Sequence, residues 1–160
     1  MSLIIAFIII SLLMASIFKS LRMILISMLP NLIPLLFTAG IMGYFGVNFK
    51  PSTVLVFSVA FGIAVDFSIH FLTKYKIELK NSSSISAAVA SVQKEISTSM
   101  IYTAVILFFG FIIFVFSDFG GTIALGLFTA ITLFIALLSN LILLPSLLLS
   151  YDIAQEKKKS

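Results

Sequence analysis

Hydrophobic positions in this chain come in unbroken runs, not in alternation. Five runs stand out, at residues 3–17, 23–45, 52–73, 98–116 and 122–149. The middle three are close to the roughly 20 residues with which an α-helix crosses a bilayer. The fifth is longer, which predicts a tilted helix or one that turns along the interface after Pro145. The first is short and, at about 1.5 Å per residue, barely spans the hydrocarbon, as if the chain began inside an element once longer. Between the third and fourth runs the pattern changes. After the capping cluster Asn81-Ser82-Ser83-Ser84, Ile85, Ala88, Val89, Val92 and Ile96 recur at helical spacing against Ser91, Gln93, Lys94 and Glu95. This predicts an amphipathic helix over 84–97, either lying on the inner membrane surface or serving as a soluble linker.

Composition turns these runs into a fold class. The 160 residues are 61% hydrophobic and 10% charged, against about 25% charged in soluble domains. A soluble fold of this size has too little polar surface here to cover its apolar mass. Continuous runs also argue against a membrane β-barrel, which alternates. The expectation is an all-α membrane protein of about five transmembrane helices, with membrane lipid as its surroundings.

Charge sets the expected orientation. Lys19, Arg22, Lys74, Lys76, Lys80, Lys94, Lys157, Lys158 and Lys159 fall on one side of such an arrangement, and Lys50 alone on the other. The positive-inside rule then places the charged tail, 151–160, in the cytoplasm and the N-terminus outside. Membrane topology explains these basic residues, so no nucleic-acid partner is expected. No basic residue precedes the first run, so no secretory leader is expected. There is no cysteine and one histidine, which leaves a metal site of ordinary composition without ligands. No phosphate-binding loop or HExxH motif occurs. No cofactor, catalytic triad or enzymatic activity is expected.

The chemistry concentrates in the third run, where Asp66 lies a few residues past the middle. A carboxylate at that depth costs roughly 2.5–3.5 kcal/mol on insertion scales. Such residues usually face a protein interior or a wet cavity and carry ions or protons, although some only hydrogen-bond a neighbouring helix. Ser58, Gly62, Asp66 and His70 are each four apart and share one helix face. Gly62 and Ser58 reduce bulk there, as at a close helix contact or beside a small water-filled space. His70 is either a partner of Asp66 one turn away or an interfacial residue. Ser99 and Thr103 in the fourth run share a face. They are either part of a polar network with Asp66 or hydroxyls bonded to their own helix. The second run carries Pro30 and Pro34 around Asn31, and the fifth carries Asn140 before Pro145. Prolines free carbonyls and bend helices. Gly126, Ala130 and Ala136 mark the fifth run as a packing helix.

Gly62–Tyr75 (GIAVDFSIHFLTKY) resembles the fourth helix of a repeat in the resistance-nodulation-division superfamily, in its MMPL-like and sterol-sensing-domain-like branch. Asn31–Thr53 resembles the preceding helix and loop, and Leu138–Leu148 the end of the sixth helix. The likeness runs from about Lys19 to Ser150. It implies that the chain corresponds to helices two to six of one six-helix repeat, most simply the C-terminal one. It further implies proton-driven export of lipids, hydrophobic compounds or drugs across the cytoplasmic (inner) membrane, with proton coupling at Asp66. The other repeat and the large extracytoplasmic domains of the family would be partners, in the same or another chain, or a second copy would stand in for them. Many relatives have tyrosine after this aspartate; Phe67 stands here instead. The alternative function is a non-transporting scaffold or lipid sensor resembling a sterol-sensing domain.

Overall fold

The computed structural model describes residues 5, 21–48, 50–82 and 84–150. The expected first span at 3–17 and the tail at 151–160 lie largely or wholly outside them. Four helices, α1 to α4, follow in order: α1 (Leu21–Tyr44), α2 (Pro51–Asn81), α3 (Ile85–Ile112) and α4 (Gly120–Leu138). A 3₁₀ turn, Ile113–Phe116, extends α3, and a π-helical turn, Ser139–Leu143, extends α4. The last helical run is continuous over Gly120–Ser150. Among the described residues there is no strand. All four helical runs are long and apolar enough to cross a membrane, so the all-α membrane class holds.

Local chemistry explains the ends. Gly46 takes φ +64°, open to glycine without a Cβ penalty. There Val47 N–H donates to the Met42 carbonyl and Gly46 N–H to that of Gly43, the paired closure of a Schellman motif. Pro51 begins α2, where its missing N–H has no intrahelical acceptor to lose. The Lys50 N–H donates to Thr53 Oγ1 at 2.8 Å, satisfying an end group. Ser84 caps α3 by accepting from the Ala87 N–H at 3.2 Å.

The segment 84–97 differs from expectation. It is the first half of α3, continuous with the span that follows, and not a separate helix on the membrane surface. α2 likewise runs past Thr73 to Asn81. Ala88, Val89 and Val92 are buried, with Ile85 and Ile96 beside them, against Phe71, Leu72 and Tyr75 of α2 and Leu144 and Leu148. The apolar stripe therefore packs on protein, and no breaker stands between it and Met100.

Two further clusters continue along the bundle, Phe67 with Met100, Ala104 and Leu137, then Met42 with Val56 and Phe128. The last helical run is central: 56% of its most apolar window is buried, against 11% for α3. Gly126 is what lets it sit there. A Cβ built on it would lie 2.6 Å from both the Phe111 carbonyl oxygen and Phe114 Cβ. Gly62, expected at a helix contact, is exposed, with nothing within 4 Å of a Cβ built there. Ser58 is half-buried. The reason is phase: α2 turns Phe61, Ala64 and Val65 inward and leaves the Gly62 face on the flank.

The interior also holds polar groups. Ser68 Oγ lies 2.6 Å from Asn140 Oδ1 and 3.0 Å from Asn31 Oδ1. One hydroxyl proton serves only one of them at a time. Asn140 Nδ2 donates to the Ala136 carbonyl at 3.0 Å and toward Asn31 Oδ1 at 3.3 Å. Two proline-freed carbonyls find donors on neighbouring helices. Pro34 cannot donate to the Pro30 carbonyl, and Ser139 Oγ does so at 2.7 Å. Pro145 cannot donate to the Leu141 carbonyl, and Gln93 Nε2 does so at 3.2 Å. Buried surroundings make an unpartnered Pro30 carbonyl expensive, so the Ser139 bond helps Pro34 stay inside the bundle, while the Gln93 bond closes the Leu141 carbonyl on the exposed flank.

Candidate functional site

Helical period brings the titratable residues to one flank. On α2 the buried positions Phe67, Ser68, Phe71 and Leu72 face the core, which turns Asp66 and His70 outward. Their side chains are 60% and 70% exposed, and His70 Nε2 lies 3.5 Å from Asp66 Oδ1. α3 runs back alongside and presents Glu95, Ile96, Ser99, Met100 and Thr103. With Asp66, Phe67 and His70 these line a groove of about 270 Å³. Buried Phe67 and Met100 form its apolar floor, and the carboxylates, imidazole and hydroxyls form its rim.

The residues singled out in the sequence thus divide. Asp66, His70, Ser99 and Thr103 come together in one groove. Gly62 and Ser58 share the α2 face but do not line it. Thr103 Oγ1 donates to the Ser99 carbonyl of its own helix at 3.0 Å, so its proton is committed and only its oxygen is offered to the groove. Asp66 does not face the interior of the described bundle; it lies on the outside of the four helices. Phe67 is 2% exposed and points to the floor.

Two features escaped the sequence reading. One is Glu95, the second carboxylate of the groove. A signal for it existed in α2, where the four-residue step from Asp66 to His70 continues to Lys74 and Glu78, an invitation to seek their partners on the next helix. The other is the Asn31–Ser68–Asn140 cluster. Ser68 is two residues from Asp66 and on the opposite face of α2, so one helix turn carries a polar group on each side. Among the described residues, no three His, Cys, Asp or Glu side chains gather as a metal site.

Comparison with known proteins agrees with this architecture. The MMPL family pattern matches residues 1–157. A candidate membrane protein of Methanocaldococcus jannaschii is 26% identical over 121 residues, covering 76% of this chain and 31% of the relative. The matched stretch is thus about a third of that relative's length. No solved structure matches the chain.

Proposed function

We propose, since this chain belongs to the MMPL family, that it is a membrane-embedded part of a proton-driven exporter of lipids or other hydrophobic compounds. In this reading Asp66 takes up and releases the coupling proton, and the work is transport, not catalysis. The observation that carries it is the convergence of Asp66, His70, Ser99 and Thr103 on one groove. A carboxylate exposed on the flank of apolar helices is a poor neighbour for lipid. Water or another helix has to cover it. The open face around Gly62 offers room for that helix, from the remaining repeat, another chain or a second copy. Alternating access in such transporters moves one repeat against another around a shared site. The charge distribution supports a cytoplasmic tail and an external N-terminus in the inner membrane.

The test is Asp66→Asn in the assembled transporter, reconstituted in vesicles with an imposed pH gradient. Insertion should be normal and gradient-driven transport lost. Transport and proton flux at the native level would remove Asp66 from the mechanism. A second reading, a lipid-binding scaffold without flux, draws on Phe67: the position after Asp66 on α2 carries no hydroxyl to extend a relay, and the Thr103 proton is already given to its own helix. Lipid binding by the native assembly, without proton flux in it, would favour that reading.

A further inference from the structure

The groove beside Asp66 ends at His70 on α2 and Glu95 on α3, and the polar ladder of α2 goes on beyond it. On α2 the step of four leads from Asp66 through His70 to Lys74 and Glu78. A ladder of one-turn steps thus carries an acid, an imidazole, an ammonium and an acid over about 18 Å of helix, winding from the flank toward α3. At the third rung, α3 answers. Lys74 Nζ lies 2.8 Å from Glu95 Oε1 and 3.7 Å from Glu78 Oε1. Glu78 Oε2 in turn accepts from Ser91 Oγ at 3.3 Å. One cation therefore stands between a carboxylate on its own helix and a carboxylate across the groove.

We propose that Glu95 and Lys74 form a gate that closes the α2–α3 hairpin end of the groove and controls the access of water to His70 and Asp66. Sideways, the groove opens on the flank of the bundle, where in the reading above another helix covers it and delivers no water. Water reaches Asp66 along the groove, from the end where the helices leave the apolar layer. Lys74 stands there, about 12 Å along the helix from Asp66. The short cross-helix bond ties α2 to α3 at that point. A second arrangement is ready beside it: Lys74 falls back on Glu78, which is already within ion-pair distance, and the half-exposed Glu95 side chain swings clear. A gate needs an element with two discrete arrangements, and this shared cation supplies one. The purpose of the gate rests on the proton-coupling reading; its test does not.

The chain has no cysteine, so Ser99→Cys places a single thiol in the groove. The full chain is reconstituted in vesicles of neutral lipid and exposed to an anionic, membrane-impermeant methanethiosulfonate. Lys74→Met and Glu95→Gln should each speed labelling several-fold, and the double variant should be no faster than either. Lys74→Met decides the matter, because losing a positive charge would by itself slow an anionic reagent. Unchanged or slower labelling in Lys74→Met overturns the gate. So does an equal acceleration at Ser86→Cys, an exposed position beyond the groove, which would report fraying of the whole hairpin. Failure here leaves the Asp66→Asn experiment unaffected, and failure there leaves the labelling rates unaffected.

Discussion

Replacing Gly126 by alanine should destabilise the bundle, whereas the same change at Gly62 should not. The two glycines are each one methyl away from alanine, and both sit inside long apolar helices. Gly→Ala in a helix interior is favourable by roughly 0.5–1 kcal/mol on backbone grounds. At Gly62 that gain stands alone, because the new methyl meets nothing within 4 Å. At Gly126 the methyl would lie 2.6 Å from a backbone carbonyl oxygen and from Phe114 Cβ. Neither atom is the end of a flexible side chain, so α4 and the end of α3 have to part. Overpacking of this kind costs about 1–3 kcal/mol. The net expectation is a loss of up to about 2.5 kcal/mol for Gly126→Ala and a neutral or slightly stabilising change for Gly62→Ala. Equilibrium unfolding of the purified chain in mixed detergent micelles, titrated with dodecyl sulfate, measures both against wild type. A Gly126→Ala variant as stable as wild type, or a Gly62→Ala variant that is the weaker of the two, refutes the packing described here. If Gly62 is covered in the full assembly, its alanine variant should fold normally and yet associate less well.

Ser139→Ala removes the donor from the Pro30 carbonyl and should cost about 0.6 kcal/mol, and at most about 1.7, in the same titration, with Ser139→Thr closer to wild type; no loss in either would show that the bond does not matter. The proposed topology predicts that Lys50→Cys and Ser86→Cys label from opposite sides of the membrane, and labelling of both from one side would refute it.

The sequence carried the phase of α2 well. Asp66 and His70 are one turn apart on paper and lie 3.5 Å apart in the fold, because a single helix with a 3.6-residue period needs no tertiary information. The identity of the neighbour was another matter. Gly62 and Gly126 look alike in a string of apolar residues, and only the path of α3 decides which one meets a backbone. The stripe from Ile85 to Ile96 was read correctly as apolar on one side, but a stripe does not say whether it lies on lipid or on protein. Hydropathy also cannot orient Asn31 and Asn140, each set in a largely apolar run, nor tell that Ser68 turns away from Asp66 and His70. Ser139 and Gln93 were invisible as carbonyl donors, because each serves a proline on a different helix or on a turn that forms only when the helices meet. Glu95 was hidden for a similar reason: its partner Lys74 is across a hairpin.

The carbonyl bonds at the prolines have a consequence for the making of the protein. The Pro30 carbonyl and its donor Ser139 are 109 residues apart, and Asn31 is as far from Asn140. At 5–20 residues per second, roughly 5–20 s of synthesis separate the two. Through that interval α1 is in place with a bare carbonyl and an amide lacking one of its partners, and only water, lipid headgroups or the insertion machinery can meet them. α3 has a complementary debt, since Gln93 exists before the carbonyl it is to serve. The last helix thus arrives at polar vacancies prepared by the earlier ones, and fills them as it buries its own apolar surface at the centre of the bundle.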